Sequence, residues 1–95
     1  MDDRIQVIRT KLTSIKSTLE KASEQRKKDH VSYHTGEDYN AILEAIAAEY
    51  PKLNGLLPPK MISSPPYIRA RQMNVTYLDL EIFCEQLLNL LALQD

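Results

Sequence analysis

The fold is decided by the N-terminal stretch 3–28, DRIQVIRTKLTSIKSTLEKASEQRKK, in which apolar residues recur at alternating steps of three and four. The members of this stripe are Ile5, Ile8, Leu12, Ile15, Leu19 and Ala22. Most intervening residues are charged or polar, and Val7 is the only strongly apolar one. So narrow a stripe is typical of a helix that packs along a seam with other helices, rather than of an ordinary surface helix.

The stripe predicts one continuous helix from Asp3 to Arg26 or Lys28. Acidic residues at its start and basic residues at its end complement the helix dipole. Such a helix is about 36 Å long, longer than a compact domain of this size is wide. We therefore expect part of it to project, with a second molecule covering its apolar seam.

A second, shorter helix is predicted to follow a loop over residues 29–36. Thr35 is the expected N-cap, with Asp38 reaching back to it. Apolar residues then recur at helical spacing, alanines raise the helix propensity, and Pro51 ends the run.

The segment 56–72 contains four of the five prolines, so it is predicted to lie outside regular helix. It carries more large apolar residues than a flexible linker does, and loops this long are uncommon unless they have a function. These residues are Leu56, Leu57, Met61, Ile62, Tyr67 and Ile68. We expect an ordered proline-rich strap that packs across the helices.

The C-terminal helix is predicted to begin with Asn74 or Thr76 as its N-cap and Asp79 in its first turn, and to continue to about Leu93. Apolar residues cover most of its circumference, which predicts burial on several sides. Two other helices are too few to enclose it, which is a second reason to expect association.

Together these elements predict an all-α fold: a single domain over residues 1–95, built as a three-helix unit with the strap between its second and third helices. The length suffices for a modest core without metal or disulfide. A composition with 43% hydrophobic residues and only 2 glycines fits a folded helical protein.

The charges are divided unevenly along the chain. Residues 1–30 hold eight Lys or Arg against five Asp or Glu, whereas residues 31–95 hold four against eight. The formal net charge is only −1, which argues against a strongly electrostatic nucleic-acid binder. The asymmetry favours packing of the two regions on each other or on a second copy.

Cys84 is the only cysteine, which excludes an intrachain disulfide and favours a reducing compartment. The N-terminus lacks the pattern of a signal peptide, and no apolar run is long enough to cross a membrane. We expect a cytoplasmic protein with no membrane partner.

His30 and His34 have the spacing of metal ligands on a helix, but no third strong ligand lies nearby. No glycine-rich phosphate loop or nucleophile motif occurs either. We therefore expect no metal site, no cofactor and no catalytic residue. These expectations favour a protein that is not an enzyme.

Two groups of basic residues could contact phosphates of a nucleic acid. The first is Arg26, Lys27 and Lys28, and the second is Arg69 and Arg71 beside tyrosines. A solvated helix end and a strap paired with acidic residues explain both groups more simply. Nucleic acid is thus a possible partner that the composition does not favour.

Arg26 and His30 also invite comparison with the Arg and His of HEPN-type ribonucleases, which are small helical proteins. Three residues separate Arg26 from His30, fewer than that motif requires, and seven separate it from His34, more than it requires. A HEPN-like ribonuclease is therefore the third of the functional hypotheses.

The leading hypothesis is a small helical oligomerisation or adaptor module, homodimeric or bound to another helical protein. The second is a nucleic-acid-associated regulator or small subunit of a phage, plasmid or defence system. The residues predicted to form the protein interface are Ile8, Leu12, Ile15, Leu19, Phe83, Leu87 and Leu91.

Overall fold

The computed structural model describes residues 3–65 and 71–94, and this part of the chain is mostly helical. These described residues form three long helices, one short helix, two short strands and a 3₁₀ turn at Pro51–Leu53. In chain order the other elements are α1 (Asp3–Glu20), α2 (Glu24–Lys27), β1 (His30–Ser32), α3 (Tyr33–Glu49), β2 (Gln72–Thr76) and α4 (Tyr77–Ala92).

The predicted continuous first helix is wrong, because the helix ends at Glu20 and a new one begins after Ser23. Ser23 has an extended backbone and its Oγ accepts a hydrogen bond from the N–H of Arg26 at 3.1 Å. A serine that caps a new helix competes with continuation of the old one. At about 27 Å, α1 is therefore shorter than predicted.

The apolar stripe of α1 packs on α4, and the two helices run in opposite directions. Arg9 donates from Nη2 to the carbonyl of Leu91 near the end of α4, at 3.0 Å, whereas Lys27, in the α2 helix that follows α1, forms an ion pair of 3.0 Å with Glu81 near the start of α4. Leu12 and Leu87 are fully buried. Burial of such a side chain contributes about 1.5–3 kcal/mol, so this packing contributes substantially to the stability of the core.

α4 is not buried on as many sides as its composition predicts. Leu80, Cys84, Leu87 and Leu91 form its buried face, but Leu78, Ile82 and Leu93 are exposed to 48%, 45% and 78%.

A small antiparallel sheet, which the predicted all-α fold lacks, joins the segment before α3 to the segment before α4. β1 pairs with β2, with His30 opposite Thr76 and Ser32 opposite Gln72, and the register is irregular between them. On the other side of β2, Ser63 forms an isolated bridge with Met73. Strands this short give too little alternation to be recognised in a sequence.

The ends of α3 and α4 show which caps the sequence predicts correctly. α3 begins two residues before the predicted Thr35 cap, because Ser32 is its N-cap and accepts from the N–H of Thr35 at 3.4 Å. Its end at Glu49, before Pro51, and the capping box of Thr76 and Asp79 agree with prediction.

The described part of the predicted strap is attached to α3 and β2 through residues 61–64. Met61 is buried, and the N–H of Ser64 donates to the carbonyl of Gln72 at 2.8 Å, whereas Leu56 and Ile62 are exposed. Tyr67 and Ile68 lie outside the described residues. An ordered strap over its full length stays a prediction.

Candidate functional site

An open groove of about 550 Å³ lies between α1 and α3. It arises because α1 packs closely on α4 and touches α3 only sparsely. We call it the α1–α3 groove. Its lining residues on α1 are Arg4, Val7, Ile8, Thr10, Lys11, Ser14 and Ile15, and those on α3 are Asp38, Ala41, Ile42 and Ala45.

The α1 wall of the groove is one face of the helix, with residues spaced three and four apart. Ile8 is buried and forms part of the floor, and Ile15 is partly buried. Val7 lies nearer the rim of the groove than Ile8, with 52% of its surface exposed. Ile8 belongs to the apolar stripe and Val7 does not, so the groove face is rotated away from the α4 contact.

The α3 wall is low because two of its four residues are alanines. Ala41 is exposed and Ala45 half-buried, and neither has atoms beyond Cβ to fill the space between the helices. Ile42 beneath them is buried. The result is an apolar depression that side chains of another helix could enter, a common mode of peptide recognition.

The two walls carry opposite charge. Among the lining residues, α1 contributes the basic Arg4 and Lys11, whereas α3 contributes the acidic Asp38 and neither Lys nor Arg. At the Arg4 end of the groove, Arg4 Nη1 forms an ion pair with Glu49 Oε1 at 2.9 Å. Further along, Lys11 on one wall and Asp38 on the other are both exposed.

Most of the predicted interface residues lie in the core of the single chain. Ile15 and Phe83 are partly buried, and Phe83 also stacks on Tyr39 with ring centroids 6.0 Å apart. Of the seven, Ile8 and Ile15 line the α1–α3 groove. Those buried within the chain are Ile8, Leu12, Leu19, Leu87 and Leu91. An intermolecular role for these side chains stays a prediction.

Sequence reasoning missed Val7, Ala41 and Ala45 as site residues. The signal that could have identified Val7 is that it is the one strongly apolar residue of this stretch outside the stripe. The alanines suggest only helix propensity, because no local pattern says that a neighbouring helix is held away from them.

The predicted basic residues are largely engaged within the chain. Lys27 pairs with Glu81, and the Arg26 guanidinium lies 5.7 Å from the centre of the Tyr77 ring. Lys28 is exposed.

The second basic group is only partly described, since Arg69 lies outside the described residues. Arg71 lies 3.9 Å above the ring of Tyr33 and donates from Nη2 to Ser63 Oγ at 3.2 Å. Arg26 and Arg71, one from each group, thus each lie against a tyrosine near β1.

A smaller cavity of about 270 Å³ is lined by Arg26, Thr35 and Tyr77 together with apolar side chains of α1. Burial raises the pKa of the Tyr77 hydroxyl, but hydrogen bonds with Ser32 and Thr35 and the nearby Arg26 outweigh burial, so the pKa is lowered. Neither predicted histidine lines this cavity. A HEPN-like site would need a histidine beside Arg26, and the lining of this cavity provides none.

Within residues 3–65 and 71–94, no three His, Cys, Asp or Glu side chains are grouped as metal ligands. Among the helices described, none has the length and apolar character needed to cross a membrane.

The comparisons with known proteins give no relative for this chain: it matches no protein-family model, no curated protein and no solved structure.

Proposed function

We propose that this chain is a small helical association module whose α1–α3 groove binds the apolar face of another helix. The observation that carries the proposal is an open apolar groove between α1 and α3, two helices that each bury other side chains in the core. Its wall from Arg4 to Ile15 is about 17 Å long, which matches about three turns of a bound helix. Buried Cys84 fits a reducing compartment, and we propose the cytoplasm as its location.

Nucleic-acid binding is the less supported alternative. The side chains of Arg26, Lys27 and Arg71 have partners within the chain, so contact with phosphates would require breaking these interactions. Purified protein with the absorbance ratio of free protein at 260 and 280 nm supports the association module. A high ratio together with salt-sensitive retention on single-stranded RNA supports the alternative.

The groove can be tested with a displayed library of random amphipathic helical peptides. Selection against the whole protein should enrich peptides with an apolar stripe, and a synthetic copy of an enriched peptide should bind. Ala41→Arg fills the groove and should weaken that binding at least about tenfold, because the arginine occupies the space of the peptide's side chains. The exposed Ala48, also on α3 but outside the groove lining, provides the matched control Ala48→Arg.

Equal binding to the wild type and Ala41→Arg, with Ala48→Arg also unchanged, would show that the groove is not the binding surface. Circular dichroism should show native helix content for both variants, because both positions are exposed.

A further inference from the structure

We infer that the helix that occupies the α1–α3 groove is α1 of a second copy of this chain, in a symmetric dimer. This inference rests on the proposed function, and it names the partner of the same groove. It is carried by the charges of the two walls and by the one apolar side chain that α1 leaves exposed.

Charge complementarity selects the partner. The α3 wall presents the exposed carboxylate of Asp38 beside the apolar side chains of Ala41, Ile42 and Ala45. A helix that lies against this wall should therefore present a basic side chain together with apolar ones. α1 itself has this character, since Val7 and Lys11 are both exposed on its groove face.

The exposure of Val7 is a second reason to choose α1 as the bound helix. In α1, whose residues are all described, Val7 is the only large hydrophobic residue with more than half of its surface exposed, at 52%. The apolar stripe on α1, to which Val7 does not belong, is already covered within the chain, largely by α4. A second copy would bury Val7 over the low wall formed by Ala41 and Ala45.

Symmetry makes each favourable contact occur twice. If the two α1 helices run antiparallel with the two-fold axis near Thr10 and Lys11, each Val7 reaches the partner's groove near Ser14. Each Lys11 then lies close to the axis, where the two ammonium groups would repel each other without an acidic neighbour. Asp38 on the opposite wall of the partner's groove provides that neighbour.

Two charge reversals test this arrangement. Lys11→Asp places acidic residues opposite each other in a dimer of that variant, and Asp38→Lys places basic residues opposite each other. Each variant alone should dimerise at least about tenfold more weakly than the wild type. An equimolar mixture should recover dimerisation, because the reversed lysine of one chain meets the reversed aspartate of the other.

The measurement is sedimentation equilibrium, which distinguishes a monomer of 10.9 kDa from a dimer of twice that mass. Recovery in the mixture cannot come from contacts within one chain, so it supports the dimer directly. A mixture that associates no better than its components overturns the arrangement.

The outcome also separates this inference from the proposed function. The wild type could stay monomeric and still bind the selected helical peptide, with Ala41→Arg losing that binding. This result overturns the second copy as the partner, but it leaves the groove as a binding site. A monomeric wild type whose peptide binding is insensitive to Ala41→Arg overturns both.

Discussion

The side-chain amide of Asn40 forms two hydrogen bonds with the main chain of Met61. Its Oδ1 accepts from the N–H of Met61 at 2.9 Å, and its Nδ2 donates to the Met61 carbonyl at 3.0 Å. This pair attaches the proline-rich segment to α3 at the point where Met61 enters the core. A segment without regular helix thereby satisfies two backbone groups in a partly buried position.

Asn40→Ala should lower the free energy of unfolding by about 2 kcal/mol, because the backbone groups of Met61 lose their partners. Urea denaturation followed by circular dichroism measures the change. Asn89, which is exposed on α4, is the control, and Asn89→Ala should change stability by less than about 0.5 kcal/mol. Equal stability of the two variants would show that the Asn40 amide does not hold the segment.

Gly36 is a position where helix propensity and packing make opposite predictions. Propensity alone predicts that Gly36→Ala stabilises α3 by about 1 kcal/mol. In the structure, an added Cβ would overlap the side chain of Met73, so we expect a loss of about 1–3 kcal/mol instead. Thermal unfolding of Gly36→Ala decides the sign.

Gly55 is the matched control for this experiment, since a Cβ there meets no atom within 4 Å. Gly55→Ala should be neutral or slightly stabilising. A Gly36→Ala variant more stable than the wild type would show that Met73 of β2 does not pack closely against α3 at Gly36.

Tyr39 is fully buried, and within the described residues its hydroxyl has no hydrogen-bond partner. An unpartnered buried hydroxyl costs about 1–3 kcal/mol. Tyr39→Phe keeps the ring that stacks on Phe83 and removes the hydroxyl, so stability at pH 7 should be unchanged or higher. A loss of more than about 1 kcal/mol in urea denaturation would contradict this account of the core.

Alkaline pH should destabilise the protein through Tyr39 and Cys84. Burial raises the pKa of Cys84 to about 12, helped by the carboxylate of Glu81, and burial together with Cys84 raises the pKa of Tyr39. The unfolded chain releases these protons near the ordinary values of 9.0 and 10.0. The two groups therefore favour folding most below pH 9, and the free energy of unfolding should fall as the pH rises from about 9 towards 12.

Urea midpoints measured across this pH range test the alkaline loss. The loss should be smaller in Tyr39→Phe, because that side chain has no proton to release. An identical decline in the wild type and in Tyr39→Phe would assign the alkaline loss to other groups.

The sequence predicts which face of α1 is apolar, though not that α4 covers it, and the reason is physical. Leu12 and its neighbours in the stripe are local in sequence, and their spacing alone fixes which face of the helix is apolar. The capping box of Thr76 and Asp79 and the end of α3 before Pro51 are also local signals. These parts of the fold need no knowledge of distant residues.

The sheet and the groove depend on distant contacts and could not be predicted in this way. β1 is three residues long and forms only because β2, some 40 residues further on, pairs with it. The groove exists because α1 packs on α4 rather than on Ala41 and Ala45 of α3. The same spacing would equally allow the stripe to pack on a second chain.

The most direct test of association through the α1–α3 groove is the solution mass of Val7→Asp. A carboxylate at this position would lose its hydration over Ala41 and Ala45 in the dimer, so the variant should be monomeric, whereas the wild type should be dimeric. Thr13, exposed on α1 outside the groove lining, is the control, and Thr13→Asp should remain a dimer. Sedimentation equilibrium of the three proteins at equal concentration should therefore give dimer, monomer and dimer, and the same mass for Val7→Asp as for the wild type would contradict the account.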